Sequence, residues 1–137
     1  MMEAHLTIPG KPIAKKRPRF ARRGKFVTTY NDQETEEGRV LWEIKQQWQR
    51  TILIGHVSVT FLFGLPIPAS ASKKATEAML SGTNKHLKKP DVDNYIKFYL
   101  DVMNGMVFKD DSQVWRIKAS KVFAKEPCTE IFLEWQA

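Results

Sequence analysis

The chain has a single cysteine, Cys128, so no disulfide can close within it, and a reducing cytoplasm is the expected setting. Three histidines beside that one thiol leave no plausible four-ligand zinc set. No apolar run approaches the roughly 18 residues that a membrane span needs. The opening residues, MMEAHLTIPG, lack the apolar stretch of a signal peptide, so neither a membrane nor export is expected. There is no internal repeat and no low-complexity tract. The most local absence is of acid: from Ala4 through Asn31 there is no Asp or Glu.

What fills that acid-free stretch is cationic. Between Lys11 and Lys25 lie eight Lys or Arg: Lys11, Lys15, Lys16, Arg17, Arg19, Arg22, Arg23 and Lys25. Phe20, Phe26 and Tyr30 interleave with them, and Arg22-Arg23-Gly24-Lys25 reads as a hairpin tip with Phe26 to Tyr30 as its return arm. Eight like charges without acids repel one another unless a polyanion relieves them. The whole chain agrees, with 22 Lys and Arg against 15 Asp and Glu, a net charge of +7. Nucleic acid is the first expected partner and a membrane surface the second. The segment from about 11 to 30 would follow a phosphate backbone and neutralise it, through Lys15, Lys16, Arg17, Arg19, Arg22, Arg23 and Lys25. The plainer alternative is a solvated basic loop.

At 137 residues the chain fits one domain, 1–137, with a single core. Met2 to Ile8 alternates as a half-buried strand stopped by Pro9-Gly10, with His5 on its polar side. Asn31 to Arg50 reads as a helix capped by Asn31 or Asp32, with Val40, Leu41, Ile44 and Trp48 as its buried stripe. Trp42 lies off that stripe; covering a sheet edge ranks first for it, then meeting a second subunit, then stacking on a base. His56 to Phe63 is a strand, Gly64 to Pro68 a loop, and a short helix capped by Ser70 or Ser72 runs to about Leu80. Gln113 to Phe123 and Thr129 to Trp135 read as strands, with Trp115 and Trp135 as core residues. The expected fold is α+β, helices packed on a mixed sheet.

Acid is concentrated where this order places the penultimate helix. Five of the 15 acidic residues lie between positions 91 and 111. Ile96, Tyr99, Leu100 and Met103 mark one helical face, and Asp93, Lys97 and Asp101 fall opposite it. Asn104-Gly105 stops the helix. If the following strand folds back onto this helix, Asp111 approaches Asp91 and Asp93. Three carboxylates together suit a hard cation such as Mg²⁺, which keeps several waters and leaves room for phosphate oxygens. Lys97 would supply positive charge to a transferring phosphoryl group. Lys88 and Lys89, in the loop before Asp91, add positive charge beside this candidate site. The bland alternative is that Asp91 and Asp93 cap the helix and Lys97 makes a surface ion pair. A calcium hand fits poorly, since counting from Asp91 puts Ile96 where Gly is needed and Val102 where Glu is needed.

These residues carry a resemblance. Lys-Pro-Asp-x-Asp-Asn-x-x-Lys over 89–97, then Asp-x-Met-Asn-Gly-x-Val-Phe-Lys-Asp-Asp-Ser-Gln-Val over 101–114, resembles the signature of the RusA family of Holliday junction resolvases. The likeness extends through Pro66-Ile67-Pro68, Ser72-Lys73-Lys74 and Lys16-Arg17-Pro18-Arg19-Phe20, and so spans nearly the whole chain. It implies a small homodimeric endonuclease of a bacterium or phage. Such an enzyme depends on Mg²⁺, with Mn²⁺ as a substitute, and needs no small-molecule cofactor. It acts on four-way junctions in DNA recombination and repair and leaves 5′-phosphate ends. By the same resemblance, the metal-binding carboxylates fall on Asp91, Asp93 and Asp111 and the catalytic lysine on Lys97; Asp110 and Asp111 could exchange roles. The alternatives are a nuclease of other branched DNA, such as flaps and forks, and a DNA-binding protein without catalysis.

Overall fold

A computed structural model gives the fold. It describes residues 1–16 and 33–137 in full and residues 19–23 and 26–30 as backbone alone. In chain order the elements are β1 (Met2–Pro9), β2 (Arg19–Arg23), β3 (Phe26–Tyr30), α1 (Glu34–Gln47), β4 (Val57–Pro66), α2 (Lys73–Leu80), α3 (Val92–Met103), a 3₁₀ turn (Asp111–Gln113), β5 (Val114–Ala124) and β6 (Cys128–Trp135). Four strands form one mixed sheet in the order β1-β6-β4-β5, and β2 and β3 pair as a separate antiparallel hairpin. Only β4 and β5 run parallel, which requires the long crossover that α2 and α3 provide. The architecture is α+β, as the element order implies.

The core lies between the sheet and α1 and α3. Leu6 and Ile8 of β1, Val59, Phe61 and Phe63 of β4, and Ile131 and Leu133 of β6 meet Val40 and Ile44 of α1. On α3 the buried row is Tyr95, Phe98, Tyr99, Val102 and Met103, while Ile96 and Leu100 are only half-buried. This corrects the expected stripe. Both rows obey helical spacing, and contact with the aromatic row Phe61–Phe63 decides which one turns inward.

A buried hydroxyl network pins α3. Tyr99 OH accepts from the backbone N–H of Ile13 at 3.0 Å and from the Thr129 hydroxyl at 2.9 Å. Burial pushes the Tyr99 phenol above its usual range. Tyr99→Phe leaves two buried donors without a partner, a loss of about 1–3 kcal/mol of stability. Urea unfolding should show this as a lower midpoint at an unchanged slope. An unchanged midpoint would mean that water replaces the hydroxyl.

Other departures have local causes. Gln33, not Asn31 or Asp32, stands at the α1 cap position, and its side chain makes no cap. Instead its Oε1 accepts from Lys16 N and its Nε2 donates to Ala14 O, both at 2.8 Å. Asn31 and Asp32 themselves lie outside the described residues. The helix stops at Gln47, short of Arg50. β4 runs on through Gly64 and Leu65 to Pro66, where a loop was expected, because β5 and β6 pair with it on both sides. Gly64 suits this close packing. A Cβ there would meet the Ala124 Cβ at 3.1 Å and the Cys128 carbonyl at 3.2 Å.

Trp115 is no core residue: it is 61% exposed. The β4–β5 register slips between Val57 and Ser58, leaving Trp115 as the extra residue of a bulge on an edge strand. Trp135 is buried, as expected. Trp42 is 59% exposed.

Candidate active site

Asp91 occupies the N-cap position of α3, yet its side chain caps nothing. Asp93 follows in the first turn and Lys97 one turn later, on the exposed face. Among the described residues, neither carboxylate nor the Lys97 ammonium has a hydrogen-bond or ion-pair partner. The capping and surface-pair alternative therefore loses its support. Asp101, a further turn along, does have a partner: its Oδ2 lies 3.2 Å from Lys15 Nζ.

The cationic stretch meets this helix start directly. Lys15 N donates to Asn94 O at 2.9 Å, and the Gln33 amide holds the backbone on either side of Lys15. Lys15 itself pairs with Asp101 and, at 3.6 Å, with Glu37, so part of its charge is answered within the fold. Lys16, Lys88 and Lys89 are exposed. A cleft of about 670 Å³ opens beside Asp91, with Lys11, Lys15, Lys16, Arg39 and Lys89 among its walls. Glu36 and Asp91 also line it, so cations outnumber acids five to two, and such an excess attracts a polyanion such as a phosphate backbone. The side chains of Arg17, Arg19, Arg22, Arg23 and Lys25 lie outside the described residues.

Two groups escaped sequence reasoning. Gln33 gave no signal at all. Lys121 gave one, a lysine on the inward row of β5 beside Ala119 and Phe123. Its Nζ donates to Lys88 O at 2.8 Å and to Pro90 O at 3.1 Å, tying the loop before α3 to the sheet. His86, in the same loop, packs on Phe123 with ring centroids 5.1 Å apart. Burial, and then the nearby Lys121 charge, hold its pKa below the usual histidine value.

The second acidic position lies elsewhere. Asp110 caps the 3₁₀ turn: its Oδ2 accepts from Ser112 N at 3.0 Å, and Gln113 Oε1 accepts from Asp110 N at 2.9 Å. Hydrogen bonds, from the Ser112 side chain first, hold the Asp110 carboxyl below the usual range. Asp111 is exposed and, among the described residues, has no such partner. Of the two neighbours, Asp111 is the one available to a ligand.

Asp111 does not approach Asp91 and Asp93. The chain turns back tightly after α3, with Asn104 bridged to Phe108, so Asp111 stays at the C-terminal end of the helix. β5 then runs the length of α3 and reaches the Asp91 end only at Lys121. A 12-residue helix is about 18 Å long at 1.5 Å per residue, far beyond a shared metal ion. Accordingly, no three His, Cys, Asp or Glu side chains gather into a metal-holding group among the described residues. The expected fold-back is thus corrected: β5 returns along α3, but it begins at the wrong end to carry Asp111 to Asp91. The donor chemistry, three exposed and unpartnered carboxylates, still suits a hard cation.

Comparison with known proteins decides the family. A family model described as Endodeoxyribonuclease RusA matches residues 9–134. The chain belongs to the RusA endodeoxyribonuclease family. Within that match lie Asp91, Asp93, Lys97 and Asp111 as well as the cationic segment. The chain is also similar to the uncharacterized protein YqaN of Bacillus subtilis (strain 168), at 35% identity over 131 residues, covering 93% of this chain and 92% of the relative. No helix among the described residues is long and apolar enough to cross a membrane.

Proposed function

We propose that this RusA-family protein is a Mg²⁺-dependent endonuclease that resolves four-way DNA junctions by paired nicks, working as a homodimer. The observation that carries this reading is that Asp91, at the cap of α3 and in the wall of a cleft rich in cations, and Asp93 and Lys97, on the exposed face of the same helix, have no partner among the described residues. Acids and a lysine left without partners beside a phosphate-attracting surface are poorly explained by stability alone.

In this reading a second copy supplies the carboxylate that lies far from the other two within one chain. Asp91 and Asp93 of one subunit and Asp111 of the partner subunit would hold the cation. The chemistry supplied by such a cation is a polarised phosphate and a water acidic enough to attack it. Lys97 would face the scissile phosphate and offset its developing charge. Lys16, Lys88 and Lys89 would hold the flanking strand through its phosphates. Two such sites related by a two-fold axis match a substrate that must be nicked in two opposed strands. The products would carry 5′-phosphate and 3′-hydroxyl ends, and Mn²⁺ would substitute for Mg²⁺.

A synthetic four-way junction, with and without Mg²⁺, tests the reading. Symmetric nicks that vanish with EDTA are expected, with slower cutting of flaps and forks. Junction binding that survives EDTA, with no cutting at any Mg²⁺ or Mn²⁺ level, would leave only a DNA-binding protein.

A further inference from the structure

The Asp91 side chain caps nothing, so the start of α3 gives it no anchor of its own. Its aim depends on the backbone that delivers it. From outside α3 that backbone is held at two points among the described residues. Lys15 N donates to Asn94 O, in the first turn, at 2.9 Å. From the sheet, Lys121 Nζ donates to Lys88 O at 2.8 Å and to Pro90 O at 3.1 Å. The Pro90 carbonyl carbon is bonded directly to the Asp91 nitrogen. A side chain of β5 therefore grips the peptide unit on which Asp91 hangs.

Lys121 is out of character with its row. Ala119, Lys121 and Phe123 of β5 pair with Phe61, Phe63 and Leu65 of β4, all three buried on the helix side of the sheet. An apolar side chain at 121 would extend that core. The lysine found there is half-buried and has no ion-pair partner among the described residues. Its charge is answered by two carbonyl oxygens, which an ammonium with three donors can bind at once. Docking of the loop does not depend on it alone, because His86 packs on Phe123 two residues further along β5.

We propose that Lys121 is a positioning residue for the acidic site: its ammonium clamps the Lys88 and Pro90 carbonyls and so fixes where Asp91 presents its carboxylate. The inference rests on the metal-site reading above. A Mg²⁺-type cation demands near-ideal octahedral geometry, so a carboxylate on a loosely held loop end binds it poorly. Groups that orient a metal ligand without touching the metal typically change affinity or activity by about 10–100-fold when removed. The two bonds also bracket Lys89, a wall of the cationic cleft. One clamp thus sets a phosphate-holding cation and a metal-holding acid in register.

The test begins without DNA. Lys121→Met keeps an unbranched apolar stem and removes the donors. In the metal-free parent protein, ¹⁵N relaxation should give Lys89 and Asp91 amides the order of rigid backbone, about 0.85, and clearly less in Lys121→Met. Mn²⁺ binding, followed by electron paramagnetic resonance, should weaken by about 10–100-fold. Lys121→Arg, which keeps the charge and several donors, should recover most of that loss. Lys118→Met, on the opposite face of the same strand, should change neither reading. Cutting by Lys121→Met should need correspondingly more Mg²⁺, while junction binding in EDTA stays near the parent level. If Lys121→Met does not melt cooperatively, Lys121→Gln is read in its place. Parent-like Mn²⁺ affinity in the variant overturns the proposal, as does a loss of order spread over the whole sheet. A parent protein that binds Mn²⁺ but cuts no junction sinks the nuclease reading alone. One that binds no Mn²⁺ sinks the positioning role as well.

Discussion

Asp93→Asn and Asp111→Asn, each inactive alone, should regain junction nicking when the two proteins are mixed and allowed to exchange subunits. The expectation follows from the distance between these carboxylates. If each site takes Asp91 and Asp93 from one chain and Asp111 from the other, a mixed dimer has one ruined site and one intact site. The ruined site collects both substitutions. The intact site joins Asp91 and Asp93 of the Asp111→Asn chain to Asp111 of the Asp93→Asn chain. Free exchange makes about half of the dimers mixed. Such dimers cut one strand, so nicked junctions should accumulate while paired resolution stays low. A site built within one chain predicts no recovery at all, since every site in the mixture then carries one substitution. Asp101→Asn provides the contrast. Its partner is Lys15, and an exposed ion pair of this kind contributes under about 1 kcal/mol, so junction cutting should persist.

The second large effect belongs to Lys97. It is exposed on α3 with no partner among the described residues, so it contributes little to the fold. Lys97→Ala should melt within a few degrees of the parent protein and bind junction DNA nearly as well. Removing one preorganised charge-stabilising group usually slows a reaction by about 10²–10³, and single-turnover cleavage at saturating enzyme should show a loss of that order. Lys97→Arg separates two roles, because guanidinium keeps the charge but gives up protons far less readily. Substantial activity in Lys97→Arg would indicate charge stabilisation, and loss would indicate proton donation or strict geometry. A Lys97→Ala protein that cuts at the parent rate would remove the lysine from the chemistry.

Much of this molecule was legible in the linear order of its residues, and the misreadings share a cause. Strands with a clear alternation, such as Met2 to Ile8, were placed correctly because their period is intrinsic to the strand. The helix at 92–103 was found for the same reason, but its inward row was misplaced by a small rotation, since apolar residues occupy two adjacent rows and only the facing Phe61 and Phe63 choose between them. Gly64 and Leu65 were misread as loop because glycine and proline near a strand end signal a turn locally, whereas pairing on both sides overrides that signal. Trp115 was misread because a bulge is a property of two strands and cannot be seen in one. Asp111 shows the same limit. Twenty residues from Asp91 in the chain, it seemed one fold-back away. Where the return strand begins relative to the helix decides the distance, and spacing along a chain carries no such information. Family resemblance named the carboxylates but was silent on which of them share a subunit.

The anchoring of the cationic stretch has a geometric consequence of its own. Ala14 and Lys16 are held by one buried amide, and Lys15 is bonded to the first turn of α3. The β2–β3 hairpin therefore springs from a fixed origin beside Asp91. Any phosphate gripped along the hairpin lies at a set number of residues from that origin, as marks lie along a ruler whose zero is nailed down. The distance between the gripped nucleotides and the cut would then be a property of the protein's own length, and lengthening the hairpin would move the grip while leaving the cutting point where it is.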